Sequence, residues 1–206
     1  MTQSKRHRFL SEASECAVIV AHPDDETLWV GGTIMLHADT RWTVITLCRG
    51  SDKDRSARFL RSIAKLGASG AMGDLDDGPE QAPLSSRQIR QTIAGLLSRD
   101  NFDIVFTHGI WGEYTRHVRH EETGKAVMDM WNAEQFSAKQ IWRFAYEDGG
   151  GKYLPRAVRD ADVQIRLPEE TWRRKYELIT EVYGFEAESF EARTTPREEA
   201  FWCFEK

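Results

Sequence analysis

The 206-residue chain is 40% hydrophobic and 30% charged, and its 28 Lys and Arg against 33 Asp and Glu give a formal net charge of −5. That balance is ordinary for a globular protein and argues against nonspecific nucleic-acid binding, which needs clustered cations facing phosphate. No apolar h-region follows the basic residues at the N-terminus, and no stretch approaches the roughly 18 apolar residues of a membrane span, so neither a secretory signal nor a membrane span is expected.

The first element is "CAVIVAH" (16–22), a continuous apolar run that reads as a strand covered on both faces. Residues 27–38 read as a helix whose Gly31-Gly32 pair weakens it and points to close backbone approach. "WTVITLC" (42–48) is a second strand, and "DRSARFLRSIAKLG" (54–67) an amphipathic helix with Phe59, Leu60, Ile63 and Leu66 on one face and Gly67 at its C-terminal cap. A short third strand is expected over 71–75, then a loop, a helix over 85–100 opened by serine, and a strand over 102–108. Residues 120–136 read as helix, 140–147 and 162–168 as strands, and 168–184 as a helix opened by Pro168.

Strands alternating with helices predict an α/β chain with a three-layer α/β/α Rossmann-like fold and a mostly parallel sheet. A single domain over 1–206 is expected, with 1–15 as a flexible N-terminal extension. In such sheets ligands bind at the carboxyl ends of the strands. Three polar clusters fall there: "HPDDE" after the first strand, "RGSDKD" after the second and "HGIWGEYTRHVRH" after the fourth. No GxGxxG follows the first strand, which disfavours a dinucleotide site.

Three adjacent carboxylates repel one another and call for a compensating cation. Taken alone, Asp24, Asp25 and Glu26 would suit a helix N-terminus, and two histidines three residues apart would suit a solvated helix face. Brought to neighbouring sheet ends they acquire a joint meaning. Two histidines and one carboxylate, with one position left for water, form a ligand set for catalytic zinc. His22, Asp25 and His120 are assigned as ligands of Zn2+ or another divalent metal, which leaves Asp24 and His117 as acid/base or oxyanion partners. Trp29 and Trp111 flank these clusters and are read either as packing residues or as platforms for a sugar ring. Asp52 and Asp54 are read either as solvated loop charges or as partners of substrate hydroxyls. Cys16, Cys48 and Cys203 form no CxxC pair and no disulfide framework, which suits a reducing, cytoplasmic compartment.

"AHPDDE" (21–26), "TLCRG" (46–50), "DRSARFLRSIAKLG" (54–67) and "GEYTRHVRH" (112–120) resemble the LmbE-like, or PIG-L-like, zinc-dependent N-deacetylases over roughly the first two thirds of the chain. The resemblance implies that His22, Asp25 and His120 bind zinc and that Asp24 is the general base. It also implies that His117 stabilises an oxyanion or helps protonate the amine, and that Arg55 contacts substrate. The substrate it implies is a small molecule, an N-acetylated sugar of the N-acetylglucosamine type or its conjugate. Neither a partner chain nor a homo-oligomer is specified by it, although the latter remains compatible.

Departures from the family pattern occur at Val118 and Arg119, where members commonly carry Pro-Asp, at Arg58 in place of glutamate, and at Gly50-Ser51 in place of glycine-glutamate. An inward-pointing Arg119 would disfavour a protonated His117. These departures keep two other readings open: a metal- or ligand-binding module without turnover, and a metal-dependent hydrolase of phosphoesters or other esters.

Overall fold

The computed structural model describes residues 2–206. Strand β1 (Glu15–Val20) leads to helix α2 (Asp25–Leu36), after a first helix α1 (Gln3–Glu12). Then follow β2 (Arg41–Cys48), α3 (Lys53–Leu66), β3 (Ser69–Leu75), α4 (Ser86–Leu96), β4 (Asn101–Thr107), α5 (Val118–Asn132) and β5 (Ser137–Phe144). The last third adds β6 (Tyr146–Glu147), β7 (Arg156–Ala157), β8 (Val163–Arg166), α6 (Glu169–Glu177), a π-helical turn (Leu178–Val182), α7 (Phe190–Thr194) and β9 (Glu198–Glu205).

Seven strands form one sheet in the order β3-β2-β1-β4-β5-β9-β8. The first five are parallel, and β9 and β8 continue the sheet antiparallel. Helices cover both faces, which makes the fold a three-layer α/β/α Rossmann-like sandwich with a mostly parallel sheet. Alternation along β1 explains the two cores. Cys16, Val18 and Val20 face the layer that contains Trp29, Phe59 and Ile179, while Ala17 and Ile19 face the layer that contains Ile93, Val127 and Met130.

The chain winds outward from β1 to β3, then returns to lay β4 on the other flank of β1, with Cys16 opposite Ile104 and Ile19 opposite Thr107. The connections leaving β1 and β4 therefore diverge to opposite sides and open a crevice between them, the switch point at which open α/β sheets bind ligands.

Several element boundaries differ from expectation for local reasons. The first helix after β1 begins at Asp25, because the main chain already turns at His22–Asp24. The strand expected over 140–147 breaks at Ala145, whose N–H bonds Ala200 and whose carbonyl accepts from Val158, so the chain changes partner from β9 to β7. Residues expected as one helix over 168–184 split where the ladder widens to a π turn, with Tyr183 N–H donating to Leu178. Within the expected extension, Gln3–Glu12 is helical, Leu10 is buried and Arg6 pairs with Asp162 at 2.6 Å. Met1 lies outside the described residues. Among those residues no helix is long and apolar enough to cross a membrane.

Gly32 lets β9 and the start of α6 meet α2. A Cβ there would collide with Leu167 and press on Glu199. Glu199, fully buried, accepts from the N–H groups of Gly32 and Thr33 and the Thr33 hydroxyl, and pairs with buried Lys175 at 2.6 Å. These bonds satisfy both buried charges and fix α2, whose N-terminus carries the "DDE" residues, to the C-terminal third.

Asp103 ties the entrance of β1 to β4 and β5. Its carboxylate accepts from the N–H groups of Ser14 and Glu15 and pairs with Lys139 at 2.6 Å. Burial opposes ionisation, but the Lys139 and backbone donors hold its pKa at about 2. A folded pKa below the ordinary carboxylate value stabilises the protein above that value and loses the contribution as pH falls towards the folded pKa. Asp103→Ala should therefore destabilise the protein in urea melts at neutral pH, and the gap to the parent should close as pH drops from about 4 to about 2.

Candidate metal centre and active site

At the end of β1, three donors hold the carbonyl of Ala21: Thr46 Oγ1, Leu47 N and Cys48 N, at 2.9, 3.1 and 3.0 Å. The chain then turns sharply, and Asp24 sits at φ +131°, a conformation strained for any residue with a Cβ. Glu26 stabilises that turn from within. Its carboxylate accepts the Asp24 N–H at 3.0 Å, the Thr27 hydroxyl at 2.6 Å and the Tyr183 hydroxyl at 2.6 Å. The third carboxylate of the motif thus faces the interior, where burial raises its pKa.

Across the crevice, α5 approaches the end of β4 because Gly124 has no side chain; a Cβ there would collide with the His108 carbonyl. His120, on the first turn of α5, consequently stacks on His108 with ring centroids 4.0 Å apart.

His22, Asp25 and His120 come together. His22 Nδ1 lies 3.2 Å from Asp25 Oδ2 and 3.2 Å from His120 Nε2, and His120 Nε2 lies 3.4 Å from Asp25 Oδ2. Donors around a tetrahedral zinc at about 2.0–2.1 Å stand about 3.3–3.4 Å from one another, so the triangle has the right size for one such ion. The outer nitrogens are engaged as a metal site requires. His120 Nδ1 donates to Glu113 Oε2 at 2.7 Å and His22 Nε2 to Asp77 Oδ1 at 3.1 Å. Each carboxylate fixes the ring proton on the far nitrogen and turns the other lone pair towards the common point. Trp29 Nε1 donates to Asp25 Oδ1 at 3.1 Å and the His22 N–H to Oδ2 at 2.8 Å.

Among the described residues three clusters have converging donor atoms: His22, His117 and His120 overlap this triangle, and the other two are chemically poorer. His108 is fully buried beside Asp25 and His120, but its Nδ1 bonds Glu113 at 2.8 Å and its Nε2 accepts the Ala21 N–H at 3.0 Å, which consumes the lone pair. Cys48 approaches His22 and Asp77, but burial pushes its thiol up to about 12, so it is a neutral thiol. Glu113 serves both rings: although burial opposes it, the His108 and His120 contacts hold its pKa at about 2.

Asp24 faces the cleft beside this centre, with burial and then the Asp25 charge raising its pKa well above the usual range. Arg55 Nη1 stands 3.9 Å from Asp24 Oδ2. His117 is the residue preceding α5 and makes no capping bond, so its ring is free to line the cleft. That ring lies 4.5 Å from both His22 and His120, and its Nδ1 is buried without a partner. Burial, then His120 and His22, lower its pKa to about 3, so it is a neutral imidazole at ordinary pH.

Arg119 does not point at His117. It is 2% exposed and turns its guanidinium to the loop after β3, donating to the carbonyls of Asp76 and Ala82. Trp29 is buried and holds Asp25, so it packs rather than meets a ligand, whereas Trp111 is 81% exposed and lies outside the cleft lining. Asp52 caps α3 by accepting from Asp54 N and Arg55 N, and Asp54 pairs with Arg58 at 2.7 Å. Neither faces the cleft.

The cleft itself encloses about 170 Å³. Asp77 lines it too, and Arg49, Tyr114, Phe190 and Glu191 complete its wall. Tyr114 meets Phe190 edge to face at 4.9 Å, and Arg55 lies over the Phe185 ring at 5.0 Å. Sequence reasoning missed Asp77, His108, Glu113 and this aromatic wall. His108 and Glu113 lay inside a quoted polar cluster, but no spacing rule says which of its residues face inward. Phe190 and Glu191 carried no signal.

Residues 17–131 match the family described as PIG-L: GlcNAc-PI de-N-acetylase. A relative, uncharacterized protein L374 of Acanthamoeba polyphaga mimivirus, is 26% identical over 129 residues, covering 55% of this chain and 56% of that protein. The chain thus spans little more than half the length of that relative. Among solved structures, N,N'-diacetylchitobiose deacetylase from Pyrococcus horikoshii superposes with a TM-score of 0.71 at 16% identity, over 95% of this chain and 85% of its own. GalB, the 4-carboxy-2-hydroxymuconate hydratase from Pseudomonas putida, superposes with a TM-score of 0.61 at 16% identity, over 93% and 97%. At such identities the likeness is one of fold.

Metal loading should be coupled to proton release. Burial opposes protonation of His22, but hydrogen bonds to Asp25 and Asp77 raise its pKa to about 10, so the free centre holds a proton on Nδ1 at neutral pH. A ligand must shed that proton, and affinity rises with pH until the group titrates. Calorimetry of Zn2+ binding to the apo-protein at pH 7 in buffers of different ionisation enthalpy should register about one proton released, and affinity should increase up to about pH 10.

Proposed function

The chain belongs to the PIG-L, or GlcNAc-PI de-N-acetylase, family, and from that premise we propose a divalent-metal N-deacetylase. Its reaction is hydrolysis of an acetamido or similar N-acyl group on an N-acetylglucosamine-type sugar or sugar conjugate. The observation that carries the reading is the donor triangle of His22, Asp25 and His120, 3.2–3.4 Å on each side, with a carboxylate behind each imidazole. Zn2+ suits two imidazoles and one carboxylate, although other divalent ions share that preference.

When bound, the metal polarises the amide carbonyl and lowers the pKa of a water from about 15.7 towards about 7. Asp24, at the cleft beside the centre, accepts the proton of the attacking water. Its raised pKa also makes it able to hand that proton to the departing amine, which would otherwise leave poorly. His117, kept neutral, donates an N–H to the developing oxyanion, a contribution of about 3–4 kcal/mol for a well-placed donor. This assigns oxyanion stabilisation to His117 and proton transfer to Asp24. Arg55, already near Asp24, contacts the substrate.

The whole of 1–206 acts as one unit in this reading, because the C-terminal third supplies a wall of the cleft through Phe190 and Glu191 and braces Glu26 through Tyr183. The volume of about 170 Å³ suits a single sugar ring or its acyl arm, with the remainder of a conjugate outside. Cys16, Cys48 and Cys203 are unpaired, in keeping with a cytoplasmic setting.

A second reading draws on the fold shared with the GalB hydratase, which would use the same centre to add water across a carbon–carbon double bond. Acetate release from N-acetylglucosamine-type substrates supports the deacetylase; turnover of an unsaturated acid without it supports the hydratase. Chelation should abolish acetate release and Zn2+ restore it. Asp24→Asn should keep the metal and lose turnover by about 10²-fold or more, and unchanged turnover would reject Asp24 as the base. Phe190→Ala should raise KM several-fold with kcat nearly unchanged in steady-state assays, as expected when uniform substrate binding is lost.

A further inference from the structure

The loop between β3 and α4, residues 76–85, contains no regular secondary structure, yet it delivers Asp77 to His22 Nε2. What holds such a loop in place is visible on the neighbouring helix. Arg119 of α5 donates through Nε to the Asp76 carbonyl at 2.6 Å, through Nη2 to the Ala82 carbonyl at 2.8 Å and through Nη1 to Glu122 Oε2 at 2.6 Å. Glu122 completes the clamp, since its Oε1 accepts the Leu84 N–H at 2.8 Å. One buried guanidinium and one carboxylate therefore grip the loop at 76, 82 and 84.

Asp77 has another holder, Arg49, which reaches Oδ2 at 2.7 Å. Arg49 is 47% exposed and works in a high dielectric, whereas Arg119 is 2% exposed and makes charge-assisted bonds shielded from water. The buried clamp is the stronger constraint. Gln81 adds a local bond to Asp77 Oδ1 at 3.1 Å, but Gln81 belongs to the same loop and moves with it.

We propose that Arg119 is a positioning residue for the metal centre. By tying residues 76–84 to α5 it keeps Asp77 against His22 and so sets how tightly the centre binds a divalent cation. Arg119 touches none of the three donors; it acts through Asp77. The inference rests on the metal-centre reading above.

The test is Zn2+ affinity of apo-protein, measured by competition with a chromophoric chelator, for the parent, Asp77→Asn, Arg119→Met and the double variant, each checked by thermal melting. Loss of a carboxylate behind a metal-bound histidine costs about 10–100-fold in affinity. Asp77→Asn should fall in that range, Arg119→Met should weaken Zn2+ at least several-fold, and the double variant should bind no more weakly than Asp77→Asn alone. Folded Arg119→Met with parental Zn2+ affinity, or penalties that multiply in the double variant, overturns the inference. Should Arg119→Met not fold, Glu122→Gln replaces it: a weakened affinity that vanishes in the Asp77→Asn background supports the clamp, and an unchanged affinity overturns it. A parent protein that binds no Zn2+ overturns the metal centre itself, a different failure from a parent that binds Zn2+ as well as its Arg119 variant does.

Discussion

Everything at the centre of this protein depends on two imidazole nitrogens and a carboxylate oxygen facing one point. Such an arrangement is unfavourable without a cation or a proton, because three electron-rich atoms stand 3.2–3.4 Å apart in a largely buried place. The surrounding structure sustains it by satisfying every outer atom. Glu113 and Asp77 take the ring protons, Trp29 and the His22 N–H take the remaining capacity of Asp25, and Ala21 occupies His108. A donor set supported from behind in this way has the size and polarity to fit a cation in front.

The three consecutive carboxylates of the first motif show how one turn separates chemistry by direction. Asp25 joins the donor triangle, Asp24 faces the cleft and Glu26 is buried against Tyr183 and Ser62. Their mutual repulsion is only partly offset, each by a different partner: imidazoles for Asp25, Arg55 for Asp24, and hydroxyl and backbone donors for Glu26. The strained φ of Asp24 is the local cost of sending adjacent side chains three ways, and Glu26 offsets it by accepting the Asp24 N–H.

The cationic departures from the family pattern share a structural role. Arg58 donates to the Tyr183 carbonyl at 2.5 Å and supports the turn that leads to Phe185 and the aromatic wall. Arg119 grips the loop that carries Asp77. In each case a guanidinium ties an irregular connection to a helix by donating to backbone carbonyl oxygen, one for Arg58 and two for Arg119.

Much of the fold and of the site was legible in the sequence. The apolar runs and amphipathic periods marked the β1–β5 strands and most helices, and a parallel sheet then placed "HPDDE" and "HVRH" at neighbouring strand ends, because parallel strands bring all their carboxyl ends to one edge. Thus the pattern of the chain itself groups His22, Asp25, His120, Asp24 and His117. Asp77, Glu113, Tyr114 and Phe190 could not, since loops of irregular conformation and a short late helix reach the cleft through contacts far apart in sequence, which periodicity does not encode. The direction of Arg119 was likewise set by tertiary structure: Glu122 on its own helix takes one donor, but the carbonyls of Asp76 and Ala82, far earlier in the chain, fix the guanidinium over the loop after β3, and no local pattern encodes them.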